Sequence, residues 1–178
     1  MRVVAYILII AHALLLVCPA LLDSPTWDEI GHLSAGLNHW RSGKYDLYRV
    51  NPPLVRMVAT LPVLVYAPDM EWNVSSQSLF HRPEFDLGAK IAERNPDTFQ
   101  NYFSLARCAC IPFSVMGAWV CFRWASDLYG PTAGLVATSL WCFSPTILGY
   151  AHLITPDIGA TALGTGALYA FWRWLKKP

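Results

Sequence analysis

The sequence is poor in charged residues, and the few that it has are unevenly distributed. Only 14% of the 178 residues are Asp, Glu, Lys or Arg, and the formal net charge is +1. A near-neutral chain without a long basic patch lacks the electrostatic footprint of a nucleic-acid-binding protein, so we expect no nucleic acid as a partner. The five cysteines form no Cys-x-x-Cys pair and there is no His-Glu-x-x-His motif, which excludes these two common zinc signatures.

Charge is almost absent from four long stretches of the chain. These stretches are residues 1–22, 108–122, 128–156 and 158–172, and Arg2 is the one charged residue that they contain. A helix needs about 20 apolar residues to cross the hydrocarbon core of a bilayer, and each stretch is long enough or nearly so. Their apolar residues do not alternate with polar ones at the helical period expected of a soluble helical domain. The sequence therefore predicts an all-α, polytopic membrane protein.

We predict four transmembrane helices within a single membrane module that covers the whole chain. The predicted spans are residues 1–22, 99–126, 131–148 and 156–175. The first has the basic start and apolar middle of a signal peptide, but Cys18-Pro19-Ala20 is a poor cleavage site, so an uncleaved span is favoured. Gly130-Pro131 and Ser144-Pro145 are typical of chain breaks between helices.

The polar segment 23–98 separates the first two spans and is predicted to carry two interfacial helices. The first runs from Thr26 to Arg41, with apolar residues at helical spacing and Gly43 as its end signal. The second runs from Pro53 to Tyr66 and is apolar enough to lie in the membrane interface. The rest, residues 67–96, is predicted to be a loop, with a chance-level glycosylation sequon at Asn73.

The basic residues near the span ends predict the orientation of the chain. If four spans alternate, one side of the membrane receives Arg2, Arg123, Arg173, Lys176 and Lys177. The positive-inside rule makes that side the cytoplasm of a plasma or inner membrane. Segment 23–98 then faces outward, as does the connector before the fourth span. Topology alone thus brings Asp28, Glu29 and Asp157 to the same membrane face.

Two adjacent carboxylates, Asp28 and Glu29, stand just beyond the first span, and each has two interpretations. Thr26-Trp27-Asp28-Glu29 has the form of a capping box, in which Glu29 would reach back to the backbone of Thr26. Asp28 in the first helical turn would also suit the helix dipole. The functional interpretation is a carboxylate base that takes a proton from an acceptor hydroxyl or amine, or a metal ligand.

The later acid Asp157 and three histidines have similar alternatives. Asp157 follows Thr155-Pro156, so it can be an ordinary first-turn acid, but an isolated carboxylate at a membrane boundary is also a functional candidate. His32 lies one turn beyond Asp28 and His39 two turns further, which allows contact with substrate, a metal site or simple surface exposure. His152 near Asp157 has the same alternatives.

Two arginines are candidates for binding an anion. Arg107 lies near the outer end of the second predicted span, where it can be an interfacial residue that snorkels to water or a partner for a phosphate or a carboxylate. Arg56 lies one turn into the second interfacial helix, where it can reach lipid phosphates.

The order of short motifs along the chain resembles the GT-C superfamily of membrane glycosyltransferases. The resemblance is to the branch of the protein O-mannosyltransferases and the lipid A aminoarabinose transferases. In the outer segment the motifs are Asp28-Glu29, His32-Leu33, Gly43-Lys44-Tyr45 and Asn51-Pro52-Pro53-Leu54. Later motifs are Arg107, Leu128-Tyr129-Gly130-Pro131, Ser144-Pro145 and Asp157. Each motif is short, but together they cover essentially the whole chain.

The resemblance implies an inverting transfer of a sugar from a polyprenyl-phosphate donor. Asp28 matches the catalytic or acceptor-orienting aspartate of the family, Glu29 is its neighbour, and Asp157 matches the second outer-face acid. A divalent metal binds near this acid in some members, so Asp28 and Asp157 are the candidate metal ligands. Arg107 becomes a candidate for the donor phosphate. Asn51 departs from the pattern, because the family commonly has His before Pro-Pro-Leu.

Family members are usually several times longer than this chain. We therefore expect it to be the N-terminal catalytic module of a longer transferase, whose acceptor is a lipid, a glycan or a protein. Candidate substrate contacts are Arg107, His32, Arg56, Asn51 and His152. The alternative is a non-catalytic four-span membrane protein that binds a lipid phosphate or a partner membrane protein.

Overall fold

A computed structural model describes residues 1–66, 68–70 and 82–176. Over these residues the chain is helical and has no strand. Its helices are α1 (Arg2–Leu22), α2 (Trp27–Ser42), α3 (Leu54–Leu64), α4 (Pro83–Arg94), α5 (Phe99–Tyr129), α6 (Pro131–Cys142), α7 (Pro145–Tyr150) and α8 (Pro156–Leu175). The all-α prediction is confirmed. The sequon at Asn73 and the basic Lys177 lie outside the described residues.

Among the described residues, two helices are long and apolar enough to cross a membrane, α1 and α5. With a rise of 1.5 Å per residue, the 21 residues of α1 extend about 31 Å and the 31 residues of α5 about 46 Å. The predicted span 131–148 is not one helix. It divides into α6, about 18 Å long, and the single turn of α7, because Ser144 and Pro145 stop the first helix and start the second. The residues of the predicted fourth span form the helix α8, which is not one of the two candidate spans, so the arrangement of four spans is not confirmed.

Helices α2, α3 and α4 form in the segment 23–98, and the sequence predicted the first two of them. Helix α2 begins after Thr26 and ends at Gly43, whose φ of 66° is the left-handed conformation that glycine accepts at a helix end. Helix α3 is somewhat shorter than the predicted Pro53–Tyr66. The prediction of a loop over 67–96 was wrong where α4 forms. Pro83 begins that helix and two acids, Glu84 and Asp86, occupy its first turn.

The chain divides into two compact units. One, here called the apolar unit, comprises Met1–Cys18, Ile111–His152 and Asp157–Pro178. The other, here called the polar unit, comprises Pro19–Cys110 and Leu153–Pro156. Helices α1 and α5 each contribute residues to both.

The core of the apolar unit contains a polar network among its aliphatic and aromatic side chains. Its buried residues include Ile9, Leu16, Ile111, Ala118, Trp141, Ile158 and Ala162. At the centre of the network is His12 of α1, whose Nδ1 lies 2.9 Å from the carbonyl oxygen of Cys142. Because a carbonyl can only accept, Nδ1 carries the proton and Nε2 accepts from Ser114 Oγ at 2.8 Å. Trp141 donates to the carbonyl of Ser114 at 3.1 Å. His12 thus joins α1 to α5 and α6 by hydrogen bonds.

In the polar unit, α2 packs against α3 on one side and α4 on another. Two glycines permit the close approach. A Cβ on Gly36 would lie 2.6 Å from the carbonyl oxygen of Arg56, and one on Gly88 would lie 2.4 Å from Ile30 Cγ2. This packing buries residues 31–39 of α2, including His32, Asn38 and His39, and leaves the last turn of the helix exposed. It also fixes the first turn of α2, which carries the paired carboxylates, on a rigid scaffold.

Candidate functional site

The two carboxylates at the start of α2 have opposite environments. Glu29 is fully buried and forms a two-pronged ion pair with Arg107 of α5. Arg107 Nε donates to Glu29 Oε1 at 2.8 Å, and Arg107 Nη2 donates to Glu29 Oε2 at 2.6 Å. Such a planar pairing of guanidinium and carboxylate is among the strongest polar contacts in proteins.

Glu29 accepts further hydrogen bonds that leave its carboxylate no free position. Oε2 receives the backbone N–H of Thr26 at 2.9 Å and the Thr26 hydroxyl at 3.0 Å, as the capping box predicts. Oε1 receives the backbone N–H of Ile154 at 3.2 Å. Burial raises the pKa of Glu29, but the hydrogen bonds and charge of Arg107 outweigh burial and lower the pKa overall. Glu29 is an ionised anchor, and we do not retain it as a proton acceptor.

Arg107 is equally occupied. Besides Glu29, it donates to the carbonyl oxygens of Asp23 at 2.6 Å and Ser24 at 2.9 Å. Its side chain is 0% exposed, so the alternative of an arginine that snorkels to the interface was wrong. Of the partners that the sequence left open for Arg107, the structure provides a carboxylate. The pair connects the end of α1, the start of α2 and α5.

Asp28, by contrast, is exposed at the first turn of α2. Tyr48 Oη lies 3.5 Å from Asp28 Oδ1, a long hydrogen bond. Burial, together with the negative charge of Asp28, raises the pKa of Tyr48, so its phenol stays protonated and can donate. Asp28 therefore combines a free carboxylate with a neutral hydroxyl at its side.

Tyr48 is the centre of a cluster that the sequence did not predict. Its φ of 51° lies in the left-handed region, which a bulky residue adopts only where its surroundings hold it. The ring of His32 packs on Tyr48 with centroids 4.4 Å apart. Two guanidinium groups flank the phenol, Arg56 at 5.3 Å and Arg82 at 4.9 Å from the ring centroid. The cluster thus holds one exposed carboxylate, one phenol and two cations.

The prediction that the side chain of Arg56 reaches lipid phosphates was wrong. Arg56 is 3% exposed and turns inward, where Nη2 donates to the carbonyl oxygens of Tyr48 at 2.9 Å and Asn51 at 2.7 Å. Burial lowers the pKa of Arg56, which nevertheless remains a cation at neutral pH. Its Nε and Nη1 are buried and have no hydrogen-bond partner among the described residues. Unsatisfied buried donors of this kind are uncommon in native proteins, and each needs an explanation such as a bound water, an ion or a functional role.

Arg82 and Glu84 were missed because they fall in the segment predicted to be a loop. Arg82 forms an ion pair with Glu84, which raises the pKa of Arg82, and it also lies 4.9 Å from the ring centroid of Phe85. The ring of Phe85 also stacks on Trp27, and the two ring centroids are 5.1 Å apart. Pro83, the acids after it and the spacing of Leu87 and Ile91 are the signal that could have located this helix.

The remaining candidates of the outer segment lie beside this cluster or away from it. Asn51 takes part through its backbone carbonyl, which Arg56 binds, and not through the amide that stands in place of the family's histidine. His39 has a different hydrogen-bond partner, since its Nδ1 is 2.8 Å from the carbonyl oxygen of Lys44. Burial lowers the pKa of His39. Asp28 and His32 therefore both contact Tyr48, whereas the Nδ1 atom of His39 contacts a carbonyl of the loop after α2.

Asp157 and His152 belong to the apolar unit. Asp157 is exposed at the first turn of α8 and lines a small cavity of about 80 Å³. The other lining residues come from α7, the connector and α8: Thr146, Ile147, Tyr150, Ala151, Ile158 and Thr161. His152 is 2% exposed, so it does not have the surface position that was one alternative. That Asp28 and Asp157 share a membrane face stays a prediction.

The divalent metal implied by the family resemblance finds no ligand set here. Within residues 1–66, 68–70 and 82–176, no group of three or more His, Cys, Asp or Glu side chains is arranged to hold a metal ion. The carboxylate of Asp28 faces a phenol, and Glu29 is consumed by Arg107. The predicted ligands Asp28 and Asp157 belong to different units, so the metal stays a prediction, and we derive no chemical step through one.

Comparison with known proteins adds no family to this description. No family model, curated protein or solved structure matches the chain. The class defined by the fold is an all-helical protein in which, over the described residues, two helices are long and apolar enough to cross a membrane. Within it, the candidate site is the cluster around Tyr48 that presents Asp28.

Proposed function

We propose that the chain is the N-terminal catalytic module of an inverting glycosyltransferase in the plasma or inner membrane. It moves a sugar from a polyprenyl-phosphate donor to a lipid, glycan or protein acceptor at the outer face. The resemblance of the ordered motifs to the GT-C superfamily supports the reaction class. The two candidate spans and the basic residues near their ends support the membrane location and the orientation.

The observation that carries the proposal is the contrast between the neighbours Asp28 and Glu29. Glu29 is held by Arg107, Thr26 and Ile154 and cannot take another proton-bearing partner. Asp28 sits one residue away on the same rigid turn, exposed to solvent, with Tyr48 as its neighbour. A carboxylate whose position is fixed by a saturated neighbour is well suited to act as a general base.

In the proposed reaction, Asp28 accepts the proton of the acceptor hydroxyl or amine. The acceptor atom forms a bond to the anomeric carbon from the face opposite the phosphate. The bond between that carbon and the phosphate oxygen breaks, and its electron pair leaves with the polyprenyl phosphate. Inversion follows from this single displacement. The proton on Asp28 passes to solvent after the product leaves.

The leaving phosphate needs positive charge nearby, and the Tyr48 cluster has two cations for this purpose. Arg82 is half-exposed and can reach a ligand at the surface. Arg56 is buried, but two of its donor atoms have no partner among the described residues. Arg107 is assigned a positioning role, because its donors bind Glu29 and the carbonyls of Asp23 and Ser24.

The test is the substitution Asp28→Asn, made in the full protein. Sugar transfer would be measured with polyprenyl-phosphate mannose and polyprenyl-phosphate aminoarabinose as donors. Removal of a general base lowers the rate by about 10²- to 10⁴-fold. Because Asp28 is exposed, we expect the unfolding temperature to change little. Asp157→Asn provides the matched test of the second acid.

The control is Glu29→Gln, which keeps the shape of the side chain and removes its charge. We expect this variant to be less stable. We expect its sugar transfer to fall only in proportion to the fraction of the protein that is folded. If Asp28→Asn and Asp157→Asn both leave transfer intact in folded protein, the catalytic proposal is wrong.

A second candidate function is binding of a polyprenyl phosphate without catalysis. The buried guanidinium of Arg56 favours it, because an anion could satisfy Nε and Nη1 whether or not a sugar is transferred. In that case Arg56→Met weakens binding of polyprenyl phosphate while Asp28→Asn changes nothing. The same set of variants therefore separates the two functions.

A further inference from the structure

A cleft in the apolar unit lies at the ends of both candidate spans. It has a volume of about 650 Å³, within the range of small-ligand sites. Its wall is formed by the start of α1, the end of α5 and the start of α6. The lining residues are Met1, Arg2, Val3, Phe122, Arg123, Ser126, Asp127 and Pro131. Arg2 and Arg123, which the charge pattern placed on one side of the membrane, thus meet in one cavity.

The charges of the cleft favour an anion. Neither Arg2 nor Arg123 forms an ion pair with a carboxylate of the described residues. Arg123 lies over the ring of Trp119 at 5.6 Å and is also hydrogen-bonded to the hydroxyl of Tyr169. The acid in the wall, Asp127, is already engaged, since Tyr169 Oη donates to its Oδ2 at 2.6 Å. Two cations therefore face the cavity against one carboxylate that has its own hydrogen-bond donor.

The start of α6 can contribute to binding an anion there. Helix α6 begins at Pro131 in the wall, so the positive end of its dipole adds to the field of the arginines. The hydroxyl of Ser126 does not contribute, because its oxygen is buried against Gly134 of α6.

The surroundings of the cleft have the composition of a membrane interface. Around the same helix ends, cations lie over aromatic rings: Arg173 over Tyr169 at 5.8 Å and Lys176 over Trp172 at 4.6 Å. Trp and Tyr side chains with basic neighbours concentrate at the level of lipid headgroups. The wall also has apolar side chains, Val3 and Phe122, that suit the first carbons of an acyl chain.

We propose that this cleft binds the headgroup of an acidic phospholipid. Arg2 and Arg123 pair with the phosphate, and Val3 and Phe122 contact the acyl chains. By the orientation derived from the basic residues, this site is on the cytoplasmic side. The site needs the membrane location but none of the transferase chemistry, so it stands or fails separately from the catalytic proposal.

The experiment uses the full chain in dodecyl maltoside with fluorescent phosphatidylglycerol or phosphatidylcholine as the probe. We expect phosphatidylglycerol to bind more tightly than phosphatidylcholine. Each of Arg2→Gln and Arg123→Gln should weaken phosphatidylglycerol binding about fivefold, as expected for one basic residue at an anionic headgroup. The unfolding temperature of each variant would show that the loss is not a loss of folded protein.

The matched control is Arg173→Gln, which removes a cation from the same end of the unit but not from the cleft. It should leave binding within twofold of the unchanged protein. An equal loss in Arg173→Gln would show diffuse attraction and overturn the site. So would equal binding of the two lipids, or displacement of phosphatidylglycerol by millimolar inorganic phosphate, which would mean a site for the free anion.

Discussion

Two buried arginines of the polar unit, Arg107 and Arg56, illustrate two different uses of the same side chain. Arg107 faces a carboxylate and two carbonyls and is almost fully satisfied. Arg56 has two carbonyls and a phenol ring but no carboxylate within ion-pair distance among the described residues, and its Nε and Nη1 lack partners. Burial of a cation is costly without a counter-ion. Arg107 has its counter-ion in direct contact, whereas Arg56 has only the more distant charge of Glu84, which partly offsets the lowering of the Arg56 pKa by burial.

The same contrast applies to the carboxylates. Glu29 belongs to Arg107 and serves the structure, while Asp28 lies beside the incompletely satisfied cluster and remains available. Two adjacent acids of one helical turn are thus separated by environment, not by sequence. The side chains that are left incomplete, Asp28 and Arg56, are the ones we assign to function.

The largest expected effect comes from removing the charge of Glu29. Glu29→Gln leaves the guanidinium of Arg107 buried without a counter-ion, and breaking such a pair costs about 3–5 kcal/mol. Denaturant unfolding in detergent would measure the loss. Asp28→Asn is the matched control next to it, and we expect a change within about 0.5 kcal/mol. If the two variants lost the same amount, the distinction between anchor and free carboxylate would be wrong.

A smaller loss is expected for Arg56→Met. The substitution removes a buried cation that has no carboxylate, and the remaining cost is that of two carbonyls, on Tyr48 and Asn51, which lose their donor. We expect about 1–3 kcal/mol, less than for Glu29→Gln. Arg49→Met is the control, since Arg49 is exposed and donates only to the carbonyl of Asp46. A loss for Arg56 as large as for Glu29 would point to an overlooked counter-ion.

The smallest effect is a pH dependence of stability that Glu29 contributes. Its pKa in the folded protein is lower than its usual value near 4.5, so the unfolded chain binds the proton more tightly. The stabilisation is therefore fully present above about pH 4.5 and is lost as the pH falls through the lower, folded pKa. Between pH 7 and pH 3 the difference between the unfolding midpoints of the unchanged protein and Glu29→Gln should become smaller. Parallel curves would contradict the assignment.

The sequence was a good guide where the signals are local. Thr26 and Gly43 gave the limits of α2, Thr155-Pro156 gave the start of α8, and the capping box of Glu29 was legible in four residues. The break after α6 was also signalled by Ser144-Pro145, but the predicted span was carried too far past it. Each of these features depends on a few neighbouring side chains.

What the sequence could not provide are contacts between distant segments. Glu29 and Arg107 are 78 residues apart, and Ile154, which also donates to Glu29, lies 125 residues after Glu29. Nothing in the local pattern says that Arg107 points inward. The position of Tyr48 at the centre of the cluster could not be predicted either. Its contacts depend on α4, which forms in a polar stretch that was predicted from the sequence to be a loop. The acidic motif was recognisable from sequence, but the division of labour within it was not.

The hydrogen bond between His12 and Ser114 has a consequence for the order in which the chain matures. The two residues are 102 positions apart, and Cys142 and Trp141, which complete the network, come later still. At a synthesis rate of about 5–20 residues per second, α1 waits roughly 5–20 s before its partner leaves the ribosome. During that interval the imidazole of His12 has no native partner. A chaperone or an insertion factor would have its opportunity to hold α1 then, before the network closes.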